Sequence, residues 1–514
     1  MRNQTTILFV SPPLPDRSYP GKAMALDYLA TVAMGLGATV HQYDADVSGV
    51  EPLADLLRQV RPDVIGITNM SIQADQANAI AAIARKTLPE VLVVKGGPHE
   101  TKGYEQTLEL HNDCVDLCVV GEGEEVLADV IRHFQAGDLS QVLPTIEGVA
   151  WYDGNCVKGP ARRVPLDDIN PYTPTRAFFD IKYNFPIFGN RKTAQMMTSR
   201  GCRNQCIFCA EALRGSSVRR RNEESLRGEL AELRRDGYEA VYVDDSDFAS
   251  DHKHAFLIAS LLHEYGLVWG CNARVDAITE EFVKRLAACG CRYIFCGVES
   301  MVPGVLVGLG KTRRPEEYIQ ATRRVYAWLR EAGIPSSVFL IFGGPKVTGT
   351  AGEKTYSVET WDDVETTLGG VFTHLMPEYL SLNVLRLLPD TPIGSAPKFA
   401  YLRPNGEPTH GGWYDKAWYR SKARQDCRSR HEIFCAFEGR YSVNPVHMHP
   451  ELCYRILKRA MELANARLEA TGRLTQIVLP NLFSGKYVSK DQGRYVLAPF
   501  ESMKESDSNA SFEG

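Results

Sequence analysis

Thr198-Ser199-Arg200-Gly201-Cys202-Arg203-Asn204-Gln205-Cys206-Ile207-Phe208-Cys209 sets three cysteines at CxxxCxxC spacing within one short loop. No His lies between His133 and His252, and the nearest other cysteines are Cys156 and Cys271. A structural zinc site takes four ligands, commonly as two local pairs. Three thiolates with an empty fourth position suit a [4Fe–4S] cluster with one iron left open for a substrate or cofactor, because such clusters otherwise take four thiolates. The plainer alternative is three buried cysteines that hold no metal.

The chain has 514 residues, enough for roughly two to four domains with ample core. Its 58 basic and 63 acidic residues leave a net charge of −5, so no strong field for nucleic acid or a membrane surface is present. The apolar run Ile7–Val10 is too short for a signal-peptide core and reads as a first strand. Nothing approaches the ~18 apolar residues of a membrane helix. Thirteen cysteines without a secretory signal point to reduced thiols and a cytoplasmic setting.

Over residues 1–137 short β-rich runs alternate with helical patterns. Strands are expected at Thr6–Val10, Thr39–Tyr43, Val64–Thr68, Val91–Val94 and Leu117–Val120. Helices are expected at Ala23–Leu36, Leu53–Val60, Ala74–Thr87 and Glu125–Phe134. This alternation argues a parallel, doubly wound, Rossmann-like sheet, whose ligands bind beyond the carboxyl ends of the strands. The loops there are Ser11-Pro12-Pro13, Asn69-Met70-Ser71, Gly96–Thr101 and Gly121–Glu124. Residues 138–190 read as a Pro-rich linker with a hairpin turning at Asp153-Gly154.

From 191 to 398 strands and helices alternate again, in six units that suggest a partial (β/α)6 barrel open on one side. Polar residues gather where its strands end, which is where barrel chemistry sits. Cys289, Cys291 and Cys296 surround one strand and make an auxiliary metal conceivable, though buried core thiols are commoner. Cys427, Cys435 and Cys453 have no standard spacing. Residues 399–502 read as a mainly helical cap, with aromatics Tyr401, Trp413, Tyr414, Trp418 and Tyr419 and an amphipathic helix Pro450–Thr471. Residues 503–514 are polar and read as a disordered tail.

The cysteine loop resembles that of the radical S-adenosylmethionine (SAM) enzymes. Asp244-Asp245-Ser246-Asp247, Ala273-Arg274-Val275-Asp276, Gly297-Val298-Glu299-Ser300, Phe342-Gly343-Gly344-Pro345 and Leu388-Pro389-Asp390-Thr391-Pro392 follow in that family's order. Upstream, the Pro12-Pro13 loop, Pro62–Thr68, Gly96–Thr101 and Val119–Glu124 resemble the cobalamin-binding domain of the cobalamin-dependent members. The resemblance implies that Cys202, Cys206 and Cys209 ligate a [4Fe–4S] cluster and that Phe208 packs near the SAM adenine. It implies that Asp244 and Asp245 lie near the SAM ammonium or ribose, and that Arg274 and Glu299 contact its ribose or amino-acid part. It further implies that Asn69, Met70, Ser71, Gly96, Gly97, Gly121, Glu122 and Gly123 line cobalamin. Two departures stand out. The Asp-x-His-x-x-Gly motif that binds cobalt in other cobalamin enzymes is missing: Asp44–Gly49 carries Asp in the His position, and His99 is assigned a helix-entry or loop role. The fifth-strand loop lacks the common Gly-Glu-Thr ending and has a delayed Glu353.

The function implied is that of a radical SAM methyltransferase of natural-product or antibiotic biosynthesis. A 5′-deoxyadenosyl radical would remove hydrogen from an unactivated carbon, and methylcobalamin would then donate methyl to it. One alternative is a cyclase or rearrangement enzyme that binds cobalamin without methyl transfer, a second is a dehydratase or isomerase with a vestigial cobalamin domain, and a third is a non-enzymatic iron–sulfur regulatory or scaffold protein. The implied partners are a small-molecule substrate and an electron donor such as flavodoxin or ferredoxin, with neither nucleic acid nor membrane. No catalytic acid or base is assigned.

Overall fold

The computed structural model describes residues 5–13, 23–70, 73–160, 165–178, 185–211, 217–349, 355–385, 450–478, 488–491 and 493–497. Ser71, Glu353, the 388–392 segment, the aromatics between 401 and 419, Cys427, Cys435 and the 503–514 tail lie outside these residues. The chain divides into two compact units. One is 1–184 with 219–229 and 429–431, and the other is 185–218, 230–428 and 432–514.

In the first unit, strands Thr6–Ser11, Thr39–Asp44, Val64–Thr68, Leu92–Gly96 and Leu117–Val119 form a parallel sheet in the order second, first, third, fourth, fifth. Side chains of a strand alternate between faces, and the first strand shows what that achieves. Ile7 and Phe9 join the core under helices Met24–Gly35 and Glu124–Ala136. Leu8 and Val10 join the opposite core, under helices Leu53–Val60, Ala74–Thr87 and Glu100–His111. Burial on both faces explains the unbroken apolar runs. Helix Glu100–His111 was not expected; its first turn is the His99-Glu100-Thr101 stretch read as loop.

The hairpin belongs to this sheet rather than to a linker. Val149–Tyr152 pairs antiparallel with Leu117–Val119, and Val157–Lys158 pairs with it in turn. Its turn is also longer than the two residues expected. Asp153 through Cys156 intervene, with the Asp153 carboxylate accepting from the Asn155 and Cys156 amides at 2.9 Å each.

In the second unit, strands Thr193–Met196, Ala240–Val243, Val268–Ala273, Cys291–Glu299, Ser336–Phe342 and Tyr379–Val384 lie side by side in chain order, all parallel. Among the described residues the two ends of this sheet do not pair with each other, the pattern of a partial barrel. Gln476–Val478 adds a seventh parallel strand beside Tyr379–Val384. The helix Pro450–Thr471 forms as its apolar spacing predicts, burying Ile456, Leu457, Ala460, Met461 and Ala464. Cys271, Cys291 and Cys296 are fully buried in the barrel core, and Cys289 ends helix Glu280–Ala288 instead of lying on the strand. No helix among the described residues is long and apolar enough to cross a membrane.

Candidate active site

The cysteine loop leaves the first barrel strand and is held on several sides. Gly201, just before the first cysteine, sits at φ +96°, and a Cβ there would collide with the Ser217 carbonyl oxygen. Only glycine takes this conformation without strain. Gly201→Ala should therefore cost about 1–2 kcal/mol and reduce iron uptake, checked by thermal unfolding and iron analysis. The Cys209 amide donates to the Cys206 carbonyl at 3.1 Å, and the Ile207 amide donates to the Leu309 carbonyl at 3.1 Å. Cys206 is buried, while Cys202, Phe208 and Cys209 are half-buried.

Two donors aim at the sulfurs. The Asn204 amide lies 3.4 Å from Cys202 Sγ, and Arg274 Nη1 lies 3.3 Å from Cys206 Sγ. Donors of this kind suit thiolates that ligate iron. Among the described residues no three His, Cys, Asp or Glu side chains converge on a single-ion site. A cubane places each thiolate on a different iron, so its ligands need no such convergence. The residues fit a cluster with three protein ligands.

The Asp244–Asp247 loop separates its side chains by burial. Asp245 and Asp247 are buried, Asp244 is half-buried and Ser246 is exposed. Asp244 Oδ1 accepts from the Asn272 amide at 3.1 Å, and burial raises its carboxyl above the ordinary range. Asp245 accepts hydrogen bonds from Thr198 and Ser199.

Arg274 is held within the protein. Its guanidinium forks onto Asp276, at 3.0 and 2.8 Å, and donates to the Lys311 carbonyl at 2.8 Å. Nη1 faces Cys206, which places this side chain beside the cysteine loop. Glu299 keeps its implied role open. It sits at φ +67° after a bulge in the strand, a strained position for a non-glycine residue. Its Oε1 pairs with Lys311 Nζ at 2.9 Å, both side chains nearly buried, while Oε2 is buried without a hydrogen-bond partner among the described residues. An unsatisfied buried carboxylate oxygen is costly and suits a donor such as a ribose hydroxyl.

The fifth-strand departure is resolved in space. Pro345–Thr348 pairs antiparallel with Thr355–Val358, and this inserted hairpin returns the chain to the strand end. There Glu359 Oε2 accepts from the Gly343 amide at 2.7 Å, the Glu359 amide donates to the Gly344 carbonyl, and Thr360 caps the helix Trp361–Gly370. A Glu-Thr pair, Glu359-Thr360, reaches the loop. Burial pushes the Glu359 carboxyl up to about 8, only partly opposed by the Gly343 amide. The unfolded chain ionises this group near 4.5. Its proton is therefore held only in the folded state between pH 4.5 and 8, and stability falls there as pH rises, by up to about 1.4 kcal/mol per unit. Glu359→Gln should flatten that slope in apo-protein, measured as melting temperature against pH.

In the first unit the implied cobalamin loops are brought together. Gln73 Nε2 donates to the Pro12 carbonyl at 2.5 Å, the His99 amide donates to the Asn69 carbonyl at 3.0 Å, and the Gly121 amide donates to Thr101 Oγ1 at 3.1 Å. Gly97 sits at φ +105°, where a Cβ would lie 2.9 Å from the Asn69 carbonyl. Gly121, at φ +89°, has open space beside it, and Met70 is 42% exposed. Open space and an exposed thioether at the strand ends fit a flat macrocycle laid on the sheet. Asn69 Oδ1 is buried and unpartnered. Glu122 is engaged by Arg219 and the Leu166 amide, and Gly123 precedes helix Glu124–Ala136. His99 packs its ring over Gly103 at the N-terminus of helix Glu100–His111, the helix-entry role among the two expected of it.

Beneath these loops lies a group the sequence did not reveal. Lys95 and Glu100, both fully buried, pair at 2.9 Å. Lys95 Nζ also donates to Asn78 Oδ1 at 2.6 Å, and Glu100 Oε1 accepts from Asn69 Nδ2 at 2.7 Å.

Comparison with known proteins agrees with this arrangement. The B12 binding domain model matches residues 16–131, and the radical SAM superfamily model matches residues 196–357. An uncharacterized methyltransferase of Pyrococcus horikoshii is 27% identical over 59% of this chain and 65% of its own length. An anaerobic magnesium-protoporphyrin IX monomethyl ester cyclase of Cereibacter sphaeroides is 27% identical over 63% of this chain and 53% of its own length. The chain therefore spans less than two thirds of either relative. The solved structure of the radical SAM methyltransferase TsrM from Kitasatospora setae, with cobalamin and a [4Fe–4S] cluster bound, superposes with a TM-score of 0.67 over 94% of both chains at 20% identity, a likeness of fold. The chain thus carries a region that matches the B12 binding domain and a region that matches the radical SAM superfamily, and these two domains imply cobalamin, a [4Fe–4S] cluster and SAM as cofactors.

Proposed function

We propose that the chain is a cobalamin-dependent radical SAM methyltransferase acting on an unactivated carbon of a small-molecule, natural-product intermediate. The observation that carries this reading is the pairing, in one chain, of a three-cysteine cluster loop with a B12-binding sheet. When bound, the cluster and SAM supply a hydrogen-abstracting radical, and cobalamin supplies a methyl group. The chain's own residues hold and orient these groups. Asp244 offers its carboxylate to the SAM ammonium or ribose, and Glu299 offers its unpartnered oxygen to a ribose hydroxyl. Asn69, Met70, Gly97 and Gly121 present the surface for cobalamin. An external donor of the flavodoxin or ferredoxin kind supplies electrons.

The cyclase relative, as similar in identity as the methyltransferase, supports a second reading in which carbon is functionalised without methyl transfer. The deciding experiment is anaerobic turnover of protein reconstituted with iron, sulfide and hydroxocobalamin, using SAM labelled in its methyl group. A product heavier by one labelled methylene establishes methyl transfer. 5′-Deoxyadenosine with an unlabelled product sinks the methyltransferase reading in favour of the second. Absence of bound corrinoid removes both cobalamin roles.

A further inference from the structure

We propose that Asp245 and Asp247 are positioning residues that shape the cysteine loop for its cluster. The proposal rests on Cys202, Cys206 and Cys209 being the cluster ligands. Asp245 is 1% exposed and accepts four hydrogen bonds from the two residues that lead into the loop. Oδ1 takes the Thr198 amide at 2.7 Å and the Ser199 amide at 3.0 Å; Oδ2 takes the Thr198 hydroxyl at 2.6 Å and the Ser199 hydroxyl at 2.7 Å. All four of these carboxylate bonds go to two residues, Thr198 and Ser199, between strand Thr193–Met196 and the cysteines, so this carboxylate sets the direction in which the chain departs toward Cys202.

Asp247 acts farther along. Its Oδ2 accepts from Asn204 Nδ2 at 3.1 Å, and the same amide nitrogen lies 3.4 Å from Cys202 Sγ. Its Oδ1 accepts from the Arg274 amide at 3.1 Å, and the Arg274 side chain reaches Cys206 Sγ. Each sulfur donor is thus fixed through Asp247. The two buried aspartates of the Asp244–Asp247 loop face the cluster loop, while Asp244 does not contact it in the same way. A loop held in this way before iron arrives loses less conformational freedom on binding, and residues that orient metal ligands commonly change metal affinity by about 10–100-fold.

The test is anaerobic reconstitution of the full chain with iron and sulfide, followed by iron release to an excess of chelator and the electron paramagnetic resonance spectrum of the reduced cluster. Asp245→Asn and Asp247→Asn should release iron about 10–100-fold faster than the unaltered protein and show a shifted spectrum, with the melting temperature of the apo-protein recorded alongside. Asp244→Asn, in the same loop, should release iron at the unaltered rate. Should Asp245→Asn fail to fold, Thr198→Val, which removes one of the four donors, should still quicken release. Unaltered release and spectra in folded Asp245→Asn and Asp247→Asn, or in Thr198→Val where that stands in, overturn the proposal. So does equal acceleration in Asp244→Asn, which would trace the effect to loop charge. A full cluster retained by Cys202→Ala would instead sink the ligand reading.

Discussion

Cys202→Ala, Cys206→Ala and Cys209→Ala should each reduce SAM cleavage to background, with 5′-deoxyadenosine below detection under anaerobic reduction. A cubane cluster has four irons to ligate, and the loop supplies three thiolates. Removing one leaves a second iron exposed to solvent and chelators, and alanine offers no donor in its place. The fold should survive the change. Cys202 and Cys209 are half-buried, so their truncation leaves little cavity, and the buried Cys206 should cost only about 1 kcal/mol. The measurements are iron and sulfide per chain, visible absorption and 5′-deoxyadenosine yield, with apo-protein melting as the control. Cleavage persisting in any of the three variants would remove that cysteine from the ligand set.

Lys95→Met should be the most destabilising single change in the first unit, by about 3–5 kcal/mol. It leaves the Glu100 carboxylate fully buried beside Asn69 without its ion-pair partner. Burial alone would raise the Glu100 carboxyl; Lys95, then His99, and hydrogen bonds from Lys95 and Asn69 override it and hold the group well below the usual carboxylate range. A depressed carboxyl contributes stability that is present above its unfolded value of 4.5 and is lost as pH falls through the folded value. Without Lys95 the sign reverses. Glu100 then folds most readily when protonated, so Lys95→Met should melt higher at pH 5 than at pH 7. Lys95→Met with Glu100→Gln should recover most of the loss, since replacing both charges of a buried pair is often near neutral. Because Glu100 holds the Asn69 amide, hydroxocobalamin retained after gel filtration should fall in the single variant and return in the double. A single variant as stable as the unaltered protein at pH 7 would show that the pair contributes nothing.

Much of the architecture was legible because its signals are local. Runs such as Ile7–Val10 and Val64–Ile67 announce strands buried on both faces, and intervening amphipathic stretches announce helices. CxxxCxxC is similarly local, since three ligands on one short loop need only each other and the metal. Helix Glu100–His111 was missed at its start because Gly96-Gly97-Pro98 reads as loop, and its first residues are fixed by burial of Glu100 against Lys95.

What the amino-acid order determined by itself is thus the alternation of elements, the parallel sheets that alternation demands, and the three-thiolate loop. Tertiary structure alone decided the roles of individual polar side chains. Asp244 and Asp245 are neighbours of the same type, yet one meets Asn272 and the other clamps Thr198 and Ser199, because the strand end turns successive side chains to different surroundings. Arg274 is occupied by Asp276 and the Lys311 carbonyl, Glu359 arrives at Gly343 by way of an inserted hairpin, and Gln476–Val478 completes a sheet begun at Thr193. These pairings join residues far apart in the chain or select one partner among several, and hydrogen-bond geometry inside a packed core makes that selection.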